Sequence, residues 1–268
     1  MSATYSTSSA TRRACKVPQV TVWFWVAKIW TTLMGESLSD YLVHRFDPYA
    51  AVGIGFVVFC AAIITQFATP RYRTSVYWTA VAMVAVFGTM VADVLHVALH
   101  VPYLVSAPVF LAAAAVILAA WYATEGTLSI HSVCTPRREL YYWATVCATF
   151  ALGTAAGDLT AVTFHLGYLS SALLYTGLIV LPLAAWRLGL SSVASFWFAY
   201  ILTRPIGASF ADYLGFGHNV GGLGIGHAKV ALRSVWLFAA LITYLGVSGR
   251  DEAATPVEES RQQEASYA

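Results

Sequence analysis

Eight apolar runs, separated by short polar breaks, constrain this chain more than any other feature of its sequence. Each run holds around twenty residues, the length that a helix needs to cross the roughly 30 Å hydrocarbon core of a bilayer. Only 10% of the 268 residues are charged and the mean hydropathy is +0.67, whereas a soluble domain carries about 25% charged residues. The sequence therefore predicts an all-α polytopic membrane protein with eight transmembrane helices. The predicted spans are 19–43, 50–69, 75–99, 104–124, 140–164, 167–187, 192–215 and 230–248.

The basic residues between these runs predict the orientation of the chain. Ten lie on the side that carries both termini and three lie on the other side, and cytoplasmic loops are enriched in Lys and Arg. Both termini are therefore predicted to be cytoplasmic. Residues 1–18 and 249–268 are predicted to be disordered tails of a single membrane domain, 19–248. The ten are Arg12, Arg13, Lys16, Arg71, Arg73, Arg137, Arg138, Arg187, Arg250 and Arg261, and the three are Arg45, Lys229 and Arg233.

One pattern recurs four times in the odd-numbered spans: a tryptophan, nine residues, a glycine, four residues and an aspartate. A small residue precedes every aspartate. The recurrence predicts four pseudo-symmetric two-helix repeats in parallel orientation, at about 19–69, 75–124, 140–187 and 192–248. The four sets are Trp25, Gly35, Asp40; Trp78, Gly88, Asp93; Trp143, Gly153, Asp158; and Trp197, Gly207, Asp212.

The two inner repeats share a further motif, because a histidine follows the aspartate by seven residues in each. It opens "HVPYLVSA" at His100 and "HLGYLSSA" at His165. With the repeated Trp and Gly-x4-Asp, residues 20–248 resemble a family of bacterial polytopic membrane-anchored proteins built from four copies of a short repeat of unknown function. The resemblance implies this architecture and a bacterial inner-membrane location. It implies no activity, so function has to be argued from the residues.

The repeated aspartates are the first candidate site. The fifteen residues from Trp to Asp rise about 22 Å along a helix, which reaches the outer third of the bilayer if the tryptophans lie in the cytoplasmic aromatic belt. A carboxylate that faces lipid costs a few kcal/mol, so we expect Asp40, Asp93, Asp158 and Asp212 to converge on the pseudo-fourfold axis. Structural roles, as hydrogen-bonding groups between helices or as caps of the repeat, remain open. The glycines are expected to allow close helix packing.

Three further charged residues fall within predicted spans and join the candidate ion-binding set. Glu36 breaks the repeat symmetry, because the matching positions hold Thr89, Thr154 and Ala208. Lys28 and Arg204 are expected to neutralise part of the acidic charge, and Pro205 is expected to break its helix locally.

Histidines on the outer side suggest a metal or a proton relay. If the helix continued, each repeated histidine would lie within about 20° of its aspartate around the helix axis. His96, His100 and His165 with Asp93 and Asp158 therefore form the candidate set for a divalent transition metal, the suggested cofactor. The four cysteines show no C-x-x-C spacing, and the two in apolar runs are expected to be small buried hydrophobes.

The leading hypothesis is a transporter or channel for a small cation, a divalent metal or a proton-coupled substrate, with an acidic, His-rimmed cavity on the outer side. Its partners would be the lipid bilayer and a small ion or small-molecule substrate. Nothing in the sequence indicates nucleic acid, and an oligomer is compatible with it. Alternatives are a haem- or metal-binding redox protein, a metal-dependent membrane enzyme and a non-catalytic scaffold. No H-E-x-x-H or G-x-S-x-G motif and no clear nucleophile is present, so a transporter is favoured over an enzyme.

Overall fold

A computed structural model describes residues 15–251 of the chain. That part is helical, with short connecting loops and two π-helical turns at 94–98 and 159–163. When each π-helical turn is counted with the helix before it, and α6 with α7, the boundaries agree with the predicted runs to within about four residues. The helices are α1 (Val22–Arg45), α2 (Pro48–Ala68), α3 (Thr74–Asp93), α4 (Tyr103–Glu125), α5 (Pro136–Asp158), α6 (Tyr168–Leu178), α7 (Val180–Arg187), α8 (Ser192–Gly215) and α9 (His227–Ser248).

Prolines act differently in two of these helices. Between α6 and α7 the helix is interrupted at Ile179, since Pro182 has no N–H to donate to the carbonyl of Leu178. Pro205 was expected to break α8, and that prediction is wrong. The helix runs unbroken past it, since membrane helices tolerate a proline where neighbouring helices pack against it.

Six segments are long and apolar enough to cross a membrane: α2, α3 with the turn that follows it, α4, α5 with its own turn, α6 with α7, and α9. The chain is therefore a multi-pass membrane protein. Helices α1 and α8 are not among the six. Each carries charged residues within its length, Lys28 and Glu36 in α1 and Arg204 in α8, and these lower its hydropathy. Length and composition therefore support six of the eight predicted spans.

Four helices form a closed inner ring. Helix α1 packs against α3, α3 against α5, α5 against α8, and α8 against α1. The remaining helices lie outside this ring, and each packs mainly against the inner helix that follows it in the chain: α2 on α3, α4 on α5, α6 and α7 on α8. Helix α9 completes the circuit by packing on α1. The last described helix therefore packs against the first.

The repeat glycines stand where adjacent inner helices touch. A Cβ added to Gly35 would overlap Ala85 of α3, and one added to Gly153 would overlap the side chain of Arg204 in α8. A Cβ on Gly207 would likewise overlap Thr32, whereas one on Gly88 would lie 3.2 Å from the Cβ of Phe150, a tight contact without overlap. Every contacted residue lies three positions before the glycine of its own repeat. At the three overlapping positions glycine is needed because the helices approach too closely for a side chain.

Three tryptophans of the repeat, Trp78, Trp143 and Trp197, are buried in the aromatic core, and Trp25 packs against that core half-buried. Burial of the three does not fit the condition that they lie in a cytoplasmic aromatic belt, from which the depth of the aspartates was inferred. A ring of inner helices turns the repeated position towards its neighbours, and the indole surface contributes to packing between them.

Both described ends of the chain meet on one side of the molecule. The amide of Gln19 donates to the carbonyl of Asp251 at 3.0 Å. Asp251, within the predicted C-terminal tail, is fully buried, and its carboxylate accepts hydrogen bonds from Tyr72, Thr74 and Trp78. Residues 1–14 and 252–268 of the predicted tails lie outside the described part of the chain.

A disulfide joins the N-terminal segment to the loop between α4 and α5. It links Cys15 to Cys134, 119 positions apart in the sequence. Lys16 reinforces the same junction, since its ammonium binds the Glu139 carboxylate at 2.7 Å. The other two cysteines, Cys60 and Cys147, are free and partly buried. The missing C-x-x-C spacing therefore did not exclude a long-range pair.

Candidate functional site

A cavity of about 630 Å³ opens at the end of the inner ring that is opposite to Gln19 and Asp251. The structure brings the five candidate acids together in its wall. Each repeat aspartate comes from a different inner helix, and each lies at or near the C-terminal end of that helix. The five are Glu36, Asp40, Asp93, Asp158 and Asp212.

The rest of the cavity wall is aromatic and aliphatic. Tyr103 and Tyr168 open the outer helices α4 and α6, and Phe216 follows α8. The ring of Tyr168 stacks on that of Phe216 with centroids 5.0 Å apart. Valines and Met90 supply the aliphatic surface. The two tyrosines recur in register within the "HVPYLVSA" and "HLGYLSSA" motifs, and that repetition was the signal that could have identified them.

Arg204 fills the axis of the ring below the cavity. Its Nη2 donates to the Glu36 carboxylate at 2.5 Å and to the hydroxyls of Thr89 and Thr154, the latter at 2.6 Å. The Thr89 hydroxyl in turn donates to Glu36 at 3.0 Å. Glu36, Thr89 and Thr154 occupy matching positions of three repeats, and the fourth matching position, Ala208, carries no polar group. One guanidinium therefore satisfies three symmetry-related side chains from three helices.

Lys28 lies one level further from the cavity. Its ammonium is fully buried, 3.8 Å from the centroid of Phe150 and 4.2 Å from that of Tyr200. It makes no hydrogen bond to any residue within 15–251. The two aromatic faces are thus its nearest favourable contacts. Neither Lys28 nor Arg204 forms part of the cavity wall.

The three candidate histidines do not approach the aspartates as a continued helix would place them. The α-helix ends at Asp93 and again at Asp158, and a π-helical turn follows each. His100 and His165 then adopt left-handed backbone conformations, with φ of 53° and 56°, and are exposed. The expectation of a shared helical face was therefore wrong. Both histidines mark the point where the chain turns back, a conformation in which His is enriched among non-glycine residues.

The contacts of His96 also do not favour a role as a metal ligand together with the aspartates. Its Nδ1 lies 2.8 Å from the carbonyl oxygen of Val101, and its ring stacks on Tyr103 with centroids 3.5 Å apart. Within residues 15–251, no three His, Cys, Asp or Glu side chains come close enough to hold a metal ion. The acids share a cavity without forming one compact ligand group.

Two other histidines do reach the cavity region, and the sequence did not single them out. His227, the first residue of α9, places its Nδ1 3.1 Å from the Asp40 carboxylate. His44 lines the cavity, and its ring lies parallel to that of His227 at 6.0 Å. His227 is far from Asp40 in sequence, and only the packing of α9 on α1 brings the two together.

The acids differ in their partners. Glu36 binds Arg204, Asp40 faces His227, and the Tyr103 hydroxyl approaches Asp158. The carboxylates of Asp93 and Asp212 accept no hydrogen bond from the residues that the structure describes. Asp212 is nevertheless only 4% exposed. The cavity wall therefore holds more carboxyl groups than the cations and donors around it can pair.

Three stretches of the chain, 76–127, 141–188 and 195–251, match the model of a repeat family described as Repeat of Unknown Function (DUF347). They coincide with the second, third and fourth predicted repeats and cover more than half of the sequence. The predicted resemblance to a repeat family without an assigned activity is thereby confirmed. No curated protein and no solved structure matches the sequence.

Proposed function

The chain belongs to the family described as Repeat of Unknown Function (DUF347), whose description names no activity, and we propose from its acidic cavity that it is a membrane transporter for a small cation. The observation that carries the proposal is the convergence of Asp40, Asp93, Asp158 and Asp212 in one cavity. Buried carboxylates repel one another strongly unless cations or protons neutralise them. A bound cation would supply that charge.

The closure of the cavity favours a transporter over an open channel. Below the aspartates, Arg204 and its three partners fill the ring, and Lys28 with its aromatic neighbours fills the next level. A cation that enters from the open end would meet the buried guanidinium of Arg204 on the axis, with the Lys28 side chain behind it. Passage then requires the inner helices to move relative to one another, as in alternating access.

We propose that α1 and α8 also span the bilayer, which gives eight spans in four parallel two-helix repeats. Their charged residues would be tolerated because they face the interior of the ring, where Glu36 and Arg204 neutralise each other. Both termini would be cytoplasmic in a bacterial inner membrane, so the cavity would open outwards. The distribution of ten basic residues against three supports this orientation.

Flux measurements with purified protein in liposomes test the proposal. Cation-driven changes in membrane potential should appear with the wild-type chain and fall at least tenfold in the double variant D93N/D158N. Glu125→Gln is the matched control, because it removes a carboxylate that lies outside the cavity and binds Arg138 at 2.8 Å. Wild-type flux in the double variant would overturn the proposed function.

A further inference from the structure

We propose that the cation bound in this cavity is an organic ammonium compound, with its charged group on the aspartates and its hydrocarbon body on the aromatic wall. The proposal rests on the transport function above and specifies its substrate class. Four features carry it: the size of the cavity, the separation of its acids, the chemistry of its wall and the unsatisfied carboxylate of Asp212.

The size of the cavity suits an organic molecule. Its volume of about 630 Å³ lies within the range of small-molecule pockets, roughly 300–1,000 Å³. A bare divalent metal instead takes four to eight ligand atoms, all within about 2.6 Å. Such an ion would leave most of this volume to water.

The placement of the acids also favours an organic ammonium compound over a metal ion. The repeat aspartates belong to four different helices, and no three acidic, histidine or cysteine side chains in the described part of the chain gather within reach of one ion. A primary ammonium carries three N–H donors and can satisfy one or two carboxylates without closing a full coordination shell. A linear diamine can bind two walls of the cavity at once.

The wall of the cavity provides apolar surface for the hydrocarbon part of an organic ammonium compound. The stacked pair of Tyr168 and Phe216, together with Tyr103, presents aromatic surface beside the acids. Aromatic faces attract ammonium groups and cover hydrocarbon chains. A dehydrated metal ion is bound through N, O or S ligand atoms and would gain nothing from this apolar surface.

Asp212 is the expected anchor for the ammonium group. It lines the cavity, is 4% exposed, and accepts no hydrogen bond from the residues described. A buried carboxylate without a donor is costly, so the cavity provides one strong acceptor for an incoming cation. Arg204, beneath the aspartates, would repel the ammonium group and keep it at the level of the ring.

Binding measurements on the full chain in lipid nanodiscs test the substrate class. The probes are 1,4-diaminobutane, tetraethylammonium and Mn²⁺, and the readouts are calorimetric binding and the shift in thermal unfolding. At least one of the two ammonium probes should bind and should raise the unfolding temperature. Asp212→Asn, which keeps the size of the side chain, should weaken ammonium binding at least tenfold.

A second variant distinguishes the contribution of the apolar wall to binding from the contribution of the acidic charge. Phe216→Ala should weaken the binding of tetraethylammonium or 1,4-diaminobutane at least fivefold. The unfolding temperature without ligand should stay near that of the wild type. If F216A lowers that temperature strongly, Phe216→Leu replaces it, since leucine keeps the volume and removes the aromatic face. Unchanged ammonium affinity in these variants would overturn the aromatic part of the proposal.

The outcomes distinguish the substrate class from the transport function. If Mn²⁺ binds in an Asp212-dependent manner and neither ammonium probe does, the organic class is wrong and cation transport stands. If no cation binds and D93N/D158N leaves flux unchanged, the proposed function itself fails.

Discussion

The guanidinium of Arg204 binds the carboxylate of Glu36 at 2.5 Å, and this contact joins the last inner helix to the first. Both side chains are almost completely buried. The pair also contacts Thr89 and Thr154, so it ties together all four helices of the inner ring. Its role is therefore structural, since it closes the inner ring beneath the acidic cavity.

Removing one member of this pair should destabilise the fold more than removing both. Glu36→Gln or Arg204→Gln alone leaves a buried charge without its partner, which costs about 3–5 kcal/mol. The double variant E36Q/R204Q should be more stable than the sum of the single effects predicts. Unfolding of the wild type, the two single variants and the double variant in mixed micelles measures this coupling. Strictly additive losses would contradict the importance of the pair.

Three of the repeat glycines, Gly35, Gly153 and Gly207, should tolerate no side chain. Gly153→Ala places a methyl group against the side chain of Arg204 and should cost about 1–3 kcal/mol of unfolding free energy. Gly177→Ala is the matched control, because its Cβ would meet nothing within 4 Å and alanine favours the helix. Equal unfolding temperatures for the two variants would contradict the close approach of α5 to α8.

The carboxylate of Asp251 should hold the end of α9 to the start of α3. Asp251→Asn removes the charge that accepts hydrogen bonds from Tyr72, Thr74 and Trp78, and should lower the unfolding free energy by about 1–3 kcal/mol. Burial, together with this carboxylate, raises the pKa of the Tyr72 hydroxyl above its ordinary value, so the tyrosine stays a donor at neutral pH. Stability of D251N equal to wild type, with E125Q for comparison, would contradict this anchoring.

The disulfide between Cys15 and Cys134 makes a prediction about cellular redox state. If the termini are cytoplasmic, both thiols should be reduced in intact cells and should pair on purification in air. Thiol alkylation before lysis, followed by mass spectrometry, measures this, with Cys134→Ser and Cys60→Ser as paired controls. Complete oxidation in intact cells would place the termini in an oxidising compartment and reverse the proposed orientation.

The helix positions and the repeat could be predicted from the sequence because both depend on local pattern. Apolar length determines where helices lie, and the fixed spacing of Trp, Gly and Asp places equivalent residues at equivalent depths. The same reasoning selected the acids that line the cavity. It failed for His100 and His165, because it assumed that the helix continued past Asp93 and Asp158. A π-helical turn and a left-handed residue follow each instead.

By itself, then, the sequence determined a multi-pass helical membrane protein with a repeated acidic position and glycines spaced for close packing. Only the tertiary structure decided which residues meet: Arg204 with Glu36, His227 with Asp40, and Cys15 with Cys134. Such contacts depend on the order of helices around the ring and on the packing of α9 against α1. Periodicity along one helix indicates the face that is buried, but it carries no information about the helix that covers that face.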